Sequence, residues 1–276
     1  MSPLGGSVCL GLVCALAAGS APAASKPPRP RVQVGLEVLE GGQGKPLRGK
    51  RLGLVVHAAS VSADGRHGID VLRALGLNVV RLFTPEHGLR SVAAAGEKVD
   101  SGMDAESGLP VVSLYGEKSK PAADDLRDLD ALVFDLQDAG VRFYTYAGTL
   151  LLCLEAVAEA GVELVVLDRP NPLGGERIEG PPSDPRELVP ASLVNRAPGP
   201  LVHGLTLGEM ARYVNAGAAR KAKLTVIGMQ GWQRSLLWPD TGRPWVPPSP
   251  NLRSPEAALA YPGVCLLEAT NASEGR

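Results

Sequence analysis

The sequence has no GxGxxG turn after a strand-like run and no GxxxxGK[ST] loop. These are the backbone cradles that hold dinucleotide and nucleoside triphosphate phosphates. HExxH, paired CxxC and the GxSxG nucleophile elbow are also missing, which argues against a zincin, a zinc ribbon and an α/β-hydrolase. Only a zinc site built from dispersed ligands would escape such a scan, because it leaves no fixed spacing. Neither sign of charge is in excess: 28 Lys and Arg face 29 Asp and Glu, a net charge of −1. A nucleic-acid binder normally carries a basic excess. Four Cys in 276 residues argue against a disulfide-dependent fold. Aromatics are scarce, with three Trp, five Tyr and three Phe, so any local cluster of them is informative. A hydrophobic share of 45% against 21% charged residues is globular, not disordered.

Residues 1–24 have no charged side chain and no aromatic; the apolar stretch Val8–Ala18 is followed by Ala21-Pro22-Ala23. That pattern is a secretory signal, too short for a comfortable span, and it predicts export to the periplasm or beyond. Residues 25–32, containing KPPRPR, read as an extended linker. Cys153 and Cys265 sit in apolar runs and are expected to be buried free thiols.

From residue 33 onward, apolar runs alternate with helix-like segments. Leu52–Val56, Leu77–Phe83, Pro110–Leu114, Ala131–Leu136, Val162–Leu167 and Leu224–Ile227 read as strands. Ile69–Leu75 and Tyr146–Ala160 have helical character, and Thr206-Leu-Gly-Glu209 is a capping box opening a helix. The alternation predicts an α/β fold with a parallel sheet flanked by helices over residues 33–230. From residue 231 three Trp and several Pro crowd together. We read 231–276 as a long structured loop or the start of a second, incomplete domain.

In parallel sheets ligands bind beyond the carboxyl ends of the strands. Polar residues gather there: Glu86-His87, Asp135-Leu-Gln137-Asp138 and Asp168-Arg169 each follow a strand run. Glu86, between Pro85 and His87, can act as a general acid if partly buried, or can merely cap a loop. In DLQDAGVRFYTY (135–146), Asp135 and Asp138 can orient hydroxyls or a base, and Arg142 can pair a carboxylate. Tyr144 and Tyr146 can stack on a sugar ring or donate a proton, or serve the core. Asp168 and Arg169, in the stiff DRPNP loop with Asn171, can bind ligand or pair with each other. His203 precedes the capped helix and can meet a ligand there or shape the turn. His57 follows a strand and can line the same edge.

FTPEHG, SLYG (113–116), DLQDAGVRFYTY, LDRPNPLGG (167–175), EGP (179–181), HGLTLGE (203–209), PSPN (248–251) and EATNASEGR (268–276) occur in this order. Together they resemble the exo-β-N-acetylmuramidase family of the NamZ/YbbC type, formerly a domain of unknown function. The resemblance implies a Rossmann-like domain followed by a smaller one, without nucleotide, cofactor or metal. It also implies an exo-acting glycoside hydrolase that releases N-acetylmuramic acid from the non-reducing end of peptidoglycan fragments. Glu86 takes the place of the general acid, and Tyr144 or Tyr146 that of an active-site tyrosine. His87, Asp135, Gln137, Asp138, Arg142, Asp168, Arg169, Asn171, His203, Ser249, Asn251 and Asn271 become candidate substrate-binding residues. Arg142 or Arg169 suits the lactyl carboxylate, and Gln137, Asp138 or Asn171 the acetamido group. The second carboxyl that a glycosidase usually needs is open among Asp135, Asp138, Asp168 and the substrate's own acetamido group. Members of the family continue past EGR, so a chain ending there is expected to turn over weakly or not at all. Two other readings fit the residues: a metal-dependent cell-wall amidase or esterase using His57, His87 and His203, and a non-catalytic envelope sugar-binding protein.

Overall fold

The computed structural model describes residues 32–184, 186 and 192–270. The expected signal segment, most of the linker and Asn271 lie outside the described residues. In chain order the elements are α1 (Gly35–Gly41), β1 (Arg51–Val56), α2 (Gly68–Ala74), β2 (Asn78–Thr84), β3 (Gly102–Met103) and β4 (Pro110–Ser113). Next come α3 (Ala123–Leu126), β5 (Ala131–Asp135), α4 (Thr145–Ala160), β6 (Glu163–Leu167), β7 (Glu179–Pro182) and β8 (Pro200–Val202). The last are α5 (Leu207–Gly217), β9 (Lys223–Ile227) and α6 (Pro255–Val264).

Seven strands form one sheet in the order β3-β4-β2-β1-β5-β6-β9. All pairs are parallel except β3–β4. This is the α/β fold expected, with helices on both faces. Alternate strand residues feed two separate cores, which is why the strands read as unbroken apolar runs. Leu52, Leu54, Val56, Ala131, Val133, Val165 and Leu167 belong to the core under α1 and α2. Val55, Leu132, Phe134, Leu164 and Val166 belong to the larger core under α4 and α5.

The sheet order places a switch point between β1 and β5. From β1 the chain steps outward to β2 and β4, then returns to the other side of β1 for β5, β6 and β9. The crevice at such a point is where ligands bind. Here His57 leaves β1 and Asp135 ends β5 side by side.

Three features differ from the sequence reading. The glycine-rich GLEVLEG segment is helical, and Gly35 packs so closely that a Cβ would lie 2.4 Å from the Asp168 nitrogen. A small hairpin, β7–β8, stands apart from the main sheet. Cys153 is buried in α4, but Cys265 is only half-buried, because it follows α6 at the surface. Residues 231–252 lie against the sheet domain: Val32 N–H donates to the Thr241 carbonyl at 3.0 Å, and Trp238 N–H to that of Pro172 at 3.3 Å. Leu252 and Ala258 join the larger core. Among the described residues no helix is long and apolar enough to cross a membrane.

Candidate active site

Glu86 follows β2 in a tightly wound loop. His87 (φ 69°) and Ser91 (φ 52°) are non-glycine residues in the left-handed region, and Gly88 (φ 77°) lies between them. Such conformations are costly and persist only where their surroundings impose them. Here the His87 ring Nδ1 lies 2.9 Å from the Ala93 carbonyl oxygen, which pins the turn. The Glu86 carboxyl is buried and held on both oxygens. Oε1 accepts from Gly96 N–H at 2.9 Å and Oε2 from the Thr145 hydroxyl at 2.8 Å. The Tyr115 side chain is a further partner; burial and then the Glu86 charge push its phenol up to about 12. Gly96, Tyr115 and Thr145 also border a cavity of about 390 Å³, together with Lys98, Ser119 and Leu193. The carboxyl therefore sits directly behind residues that line an open space.

Behind Glu86 lies Tyr146, fully buried, whose hydroxyl donates to the Pro248 carbonyl at 2.7 Å. Its ring meets His57 edge-on at 5.0 Å and Tyr144 at 4.7 Å. Burial raises both phenols well above their ordinary range, and the charge of Asp138 adds to the effect at each. Glu86 contributes to the same rise at Tyr146. The two carboxyls thus act on one phenol. Burial, and then the Arg169 charge, keeps His57 neutral. Its Nε2 accepts from Gln137 N–H at 3.0 Å, which bridges the crevice between β1 and β5.

The remaining candidates divide by what they already hold. Arg169 grips Asp135 with two nitrogens, Nε to Oδ1 at 2.6 Å and Nη2 to Oδ2 at 2.9 Å, and Nη1 reaches the Val61 carbonyl. The substrate carboxylate proposed for Arg169 therefore has a rival inside the protein, and the pair ties β5 to the loop after β6. Asp168 accepts from Thr206 hydroxyl, Gly208 N–H and Arg169 N–H. It closes the start of α5, and burial lifts its carboxyl to about 6. Asn171 uses both ends of its amide, accepting from Leu173 N–H and donating to the Leu205 carbonyl, so it shapes a turn. Asn251 is exposed.

Other groups are buried without an aligned partner: Gln137 Oε1, Asp138 Oδ1, Tyr144 Oη, His203 Nε2, Arg142 Nε, Ser91 Oγ, Thr84 Oγ1 and His57 Nδ1. Leaving such groups unmet costs about 1–3 kcal/mol each. They concentrate at the strand ends, and most belong to residues picked out from sequence. Asp138 Oδ2 accepts from Gly140 N–H at 2.9 Å and lies 3.4 Å from His203 Nε2. His203 Nδ1 accepts from Leu205 N–H at 3.1 Å, so the neutral ring carries its proton on the nitrogen facing Asp138. Among the described residues the Arg142 side chain reaches Asn195, at 3.2 Å through Nη1. Ser249 is buried beside the Tyr144 hydroxyl. Among the described residues no group of three or more His, Cys, Asp or Glu is placed to hold a metal ion.

Sequence reasoning missed Thr145, Tyr115 and the Gly96 amide as the holders of Glu86. Tyr115 lay in SLYG and Thr145 in the aromatic segment, but neither carries a charge that would draw notice. Gly96 is an amide in an irregular loop and leaves no side-chain signal.

Residues 52–256 match the family described as "Exo-beta-N-acetylmuramidase NamZ, N-terminal". The chain belongs to this family. It is 44% identical over 249 residues to the peptidoglycan beta-N-acetylmuramidase NamZ of Bacillus subtilis (strain 168), covering 90% of this chain and 59% of that protein. It is also similar to two DUF1343 family proteins of Bacteroides fragilis NCTC 9343 with solved crystal structures. One is 39% identical with a TM-score of 0.80, and the match covers 87% of this chain and 61% of that one. The other is 33% identical with a TM-score of 0.74, covering 87% and 63%. The chain thus spans about three fifths of the length of these relatives.

Proposed function

We propose that the protein is an exo-acting glycoside hydrolase that releases N-acetylmuramic acid from the non-reducing end of peptidoglycan fragments, with Glu86 as the general acid. The observation that carries this reading is the seat of Glu86. Its carboxyl is buried at the carboxyl edge of a parallel sheet and held by Gly96 and Thr145, which themselves line an open cavity. A general acid needs that combination of fixed geometry and restricted solvent. Membership of the NamZ family supplies the substrate class. The uncharged, apolar segment at residues 1–24 supports action outside the cytoplasmic membrane.

In this scheme Glu86 protonates the glycosidic oxygen as the bond from C1 breaks. The unpartnered donors and acceptors around Asp138, Tyr144 and His203 bind the sugar. The test is hydrolysis of p-nitrophenyl N-acetyl-β-muramide by the purified full-length protein. Glu86→Gln should lower kcat by about 10²- to 10⁴-fold while leaving the melting temperature close to wild type. A folded Glu86→Gln protein with undiminished turnover would remove Glu86 from the mechanism.

A further inference from the structure

The cavity lined by the two holders of Glu86, Gly96 and Thr145, has walls of different chemistry. Leu193 and Val194 make one part apolar, and Val194 is exposed. Among the described residues Lys98 is the one charged residue on the lining. At about 390 Å³ the space falls in the range of small-ligand sites, about 300–1,000 Å³. Lys98 is placed by the backbone on either side of it. Gly96 N–H donates to Glu86 Oε1 at 2.9 Å, and Val99 N–H donates to the Tyr115 carbonyl at 2.8 Å. Gly116 leaves room for this segment, since a Cβ there would lie 2.8 Å from the Val99 carbonyl oxygen. The stretch 96–99 is thus clamped to the acid at one end and to the SLYG segment at the other. Two residues separate Lys98 from the amide on Glu86, a span of at most about 7 Å along the chain. Other cations are already engaged: Lys118 with Asp125, Lys120 with Glu159 and Arg169 with Asp135. Lys98 is exposed and forms no ion pair among the described residues.

N-acetylmuramic acid differs from N-acetylglucosamine, the other peptidoglycan sugar, by a lactyl ether on O3. That group carries a carboxylate and a methyl on one carbon. A cation beside an apolar wall is its complement, and a sugar without the ether offers nothing to either. Resting on the glycosidase reading above, we propose that this cavity receives the lactyl group and that Lys98 sets the preference for muramic acid. The Lys98 ammonium pairs with the carboxylate, and the methyl lies against Leu193 and Val194. The clamp at Gly96 ties the position of that cation to the position of the acid. Lys98 thereby takes the role that the sequence left with Arg142 or Arg169. The lactyl group lies away from the bond that breaks, so the contact is equal in the ground state and the transition state. Such uniform binding acts on KM and leaves kcat alone. Because the ammonium is exposed, salt should weaken the contact.

The test compares the full-length protein with Lys98→Met, which keeps the aliphatic stem and removes the charge. An exposed, unpaired lysine contributes little to the fold, so the melting temperature should not move. The dissociation constant of free N-acetylmuramic acid, measured by calorimetry, should rise about 10-fold. KM for p-nitrophenyl N-acetyl-β-muramide should rise by a similar factor while kcat stays within about 2-fold. Lys98→Arg should recover most of the loss. The methyl ester of the lactyl carboxylate has nearly the same shape without the charge. Wild type should bind this ester about 10-fold more weakly than the acid, and Lys98→Met should bind the two alike. A folded Lys98→Met protein with unchanged affinity and KM would overturn the inference. So would wild-type protein that binds acid and ester equally, or binds neither, and so would a loss carried by Arg142→Met instead. Calorimetry needs no turnover, so the two readings fail separately. A Glu86→Gln protein at full rate removes the proposed acid, while the binding constants still decide Lys98.

Discussion

At the scale of single residues, the strand-end charges separate into those fully engaged within the protein and those with an atom left unmet. The Asp135–Arg169 pair is the clearest of the first kind: both side chains are buried and the contact is bidentate. Removing one member strands the other without water. Arg169→Met should therefore lower the unfolding free energy by about 3–5 kcal/mol in urea titration. Arg169→Met combined with Asp135→Leu should cost less than Arg169→Met alone, because no charge is left buried. A double variant worse than the single would show that the pair contributes more than mutual neutralisation. Asp168 gives a pH-dependent case. Its folded carboxyl titrates near 6 against an ordinary 3.8, raised chiefly by burial. Between those values the folded chain keeps a proton that the unfolded chain has lost. Its contribution to stability is thus present at low pH and falls as pH rises through about 4 to 6. Asp168→Asn stays neutral and escapes that loss. Its stability relative to wild type should rise by roughly 3 kcal/mol between pH 4 and pH 7. A flat difference across that range would contradict the assignment.

At the scale of elements, α4 illustrates how packing reverses a local preference. Gly148 lies inside this helix, where glycine ordinarily costs about 1 kcal/mol relative to alanine. A Cβ there would stand 2.3 Å from the Leu193 carbonyl oxygen and 2.8 Å from its Cα. Backbone cannot retreat as a side-chain tip can. Gly148→Ala should accordingly destabilise by about 1–3 kcal/mol, opposite to the propensity scale; thermal melting decides the sign. The same logic explains which elements the sequence revealed. The parallel strands β1, β5 and β6 were legible because both faces are covered and no polar residue falls inside their apolar runs, whereas β2 was legible despite Arg81, and β9, half-buried at the sheet edge, despite Thr225. The helix α5 was legible from its capping box, which forms as read: the Thr206 hydroxyl accepts from Glu209 N–H, and Glu209 returns to Thr206 N–H. α1 was not, because its first residue, Gly35, serves close approach to β6 and β9 and its stability comes from tertiary contacts. β7 was hidden for the opposite reason: EGPP is exposed throughout and carries no apolar pattern.

At the scale of the whole molecule, the candidate site is drawn from chain segments that local pattern cannot connect. Glu86, Asp135, Asp138 and Asp168 were found because each follows a strand, and strand ends share an edge. The acceptor for Tyr146 was not, since Pro248 lies 102 residues further on in a loop without periodicity. What carries that loop to the site is Arg243, a buried cation. Its Nη1 donates to Glu37 at 2.8 Å and to the Val32 carbonyl at 3.2 Å, while Nη2 donates to the Val61 carbonyl at 3.2 Å. Glu37 in turn accepts from Val34 N–H and Ala63 N–H. One guanidinium thus fastens the loop to α1 and to the turn after β1, and Pro248 and Ser249 follow within six residues. If this is how the loop is placed, loss of the cation should loosen it before it unfolds the sheet. Arg243→Met should reduce stability by about 3–5 kcal/mol, since Glu37 is left uncompensated. Its distinctive effect should be local: amide hydrogen exchange should accelerate first across 241–252, with the amides of β1, β5 and β6 still slow. Turnover of the chromogenic muramide should fall with it, because the support behind Tyr146 and Tyr144 moves away. Exchange that speeds equally in the loop and in the central strands would mean that Arg243 serves general stability and that something else seats the loop.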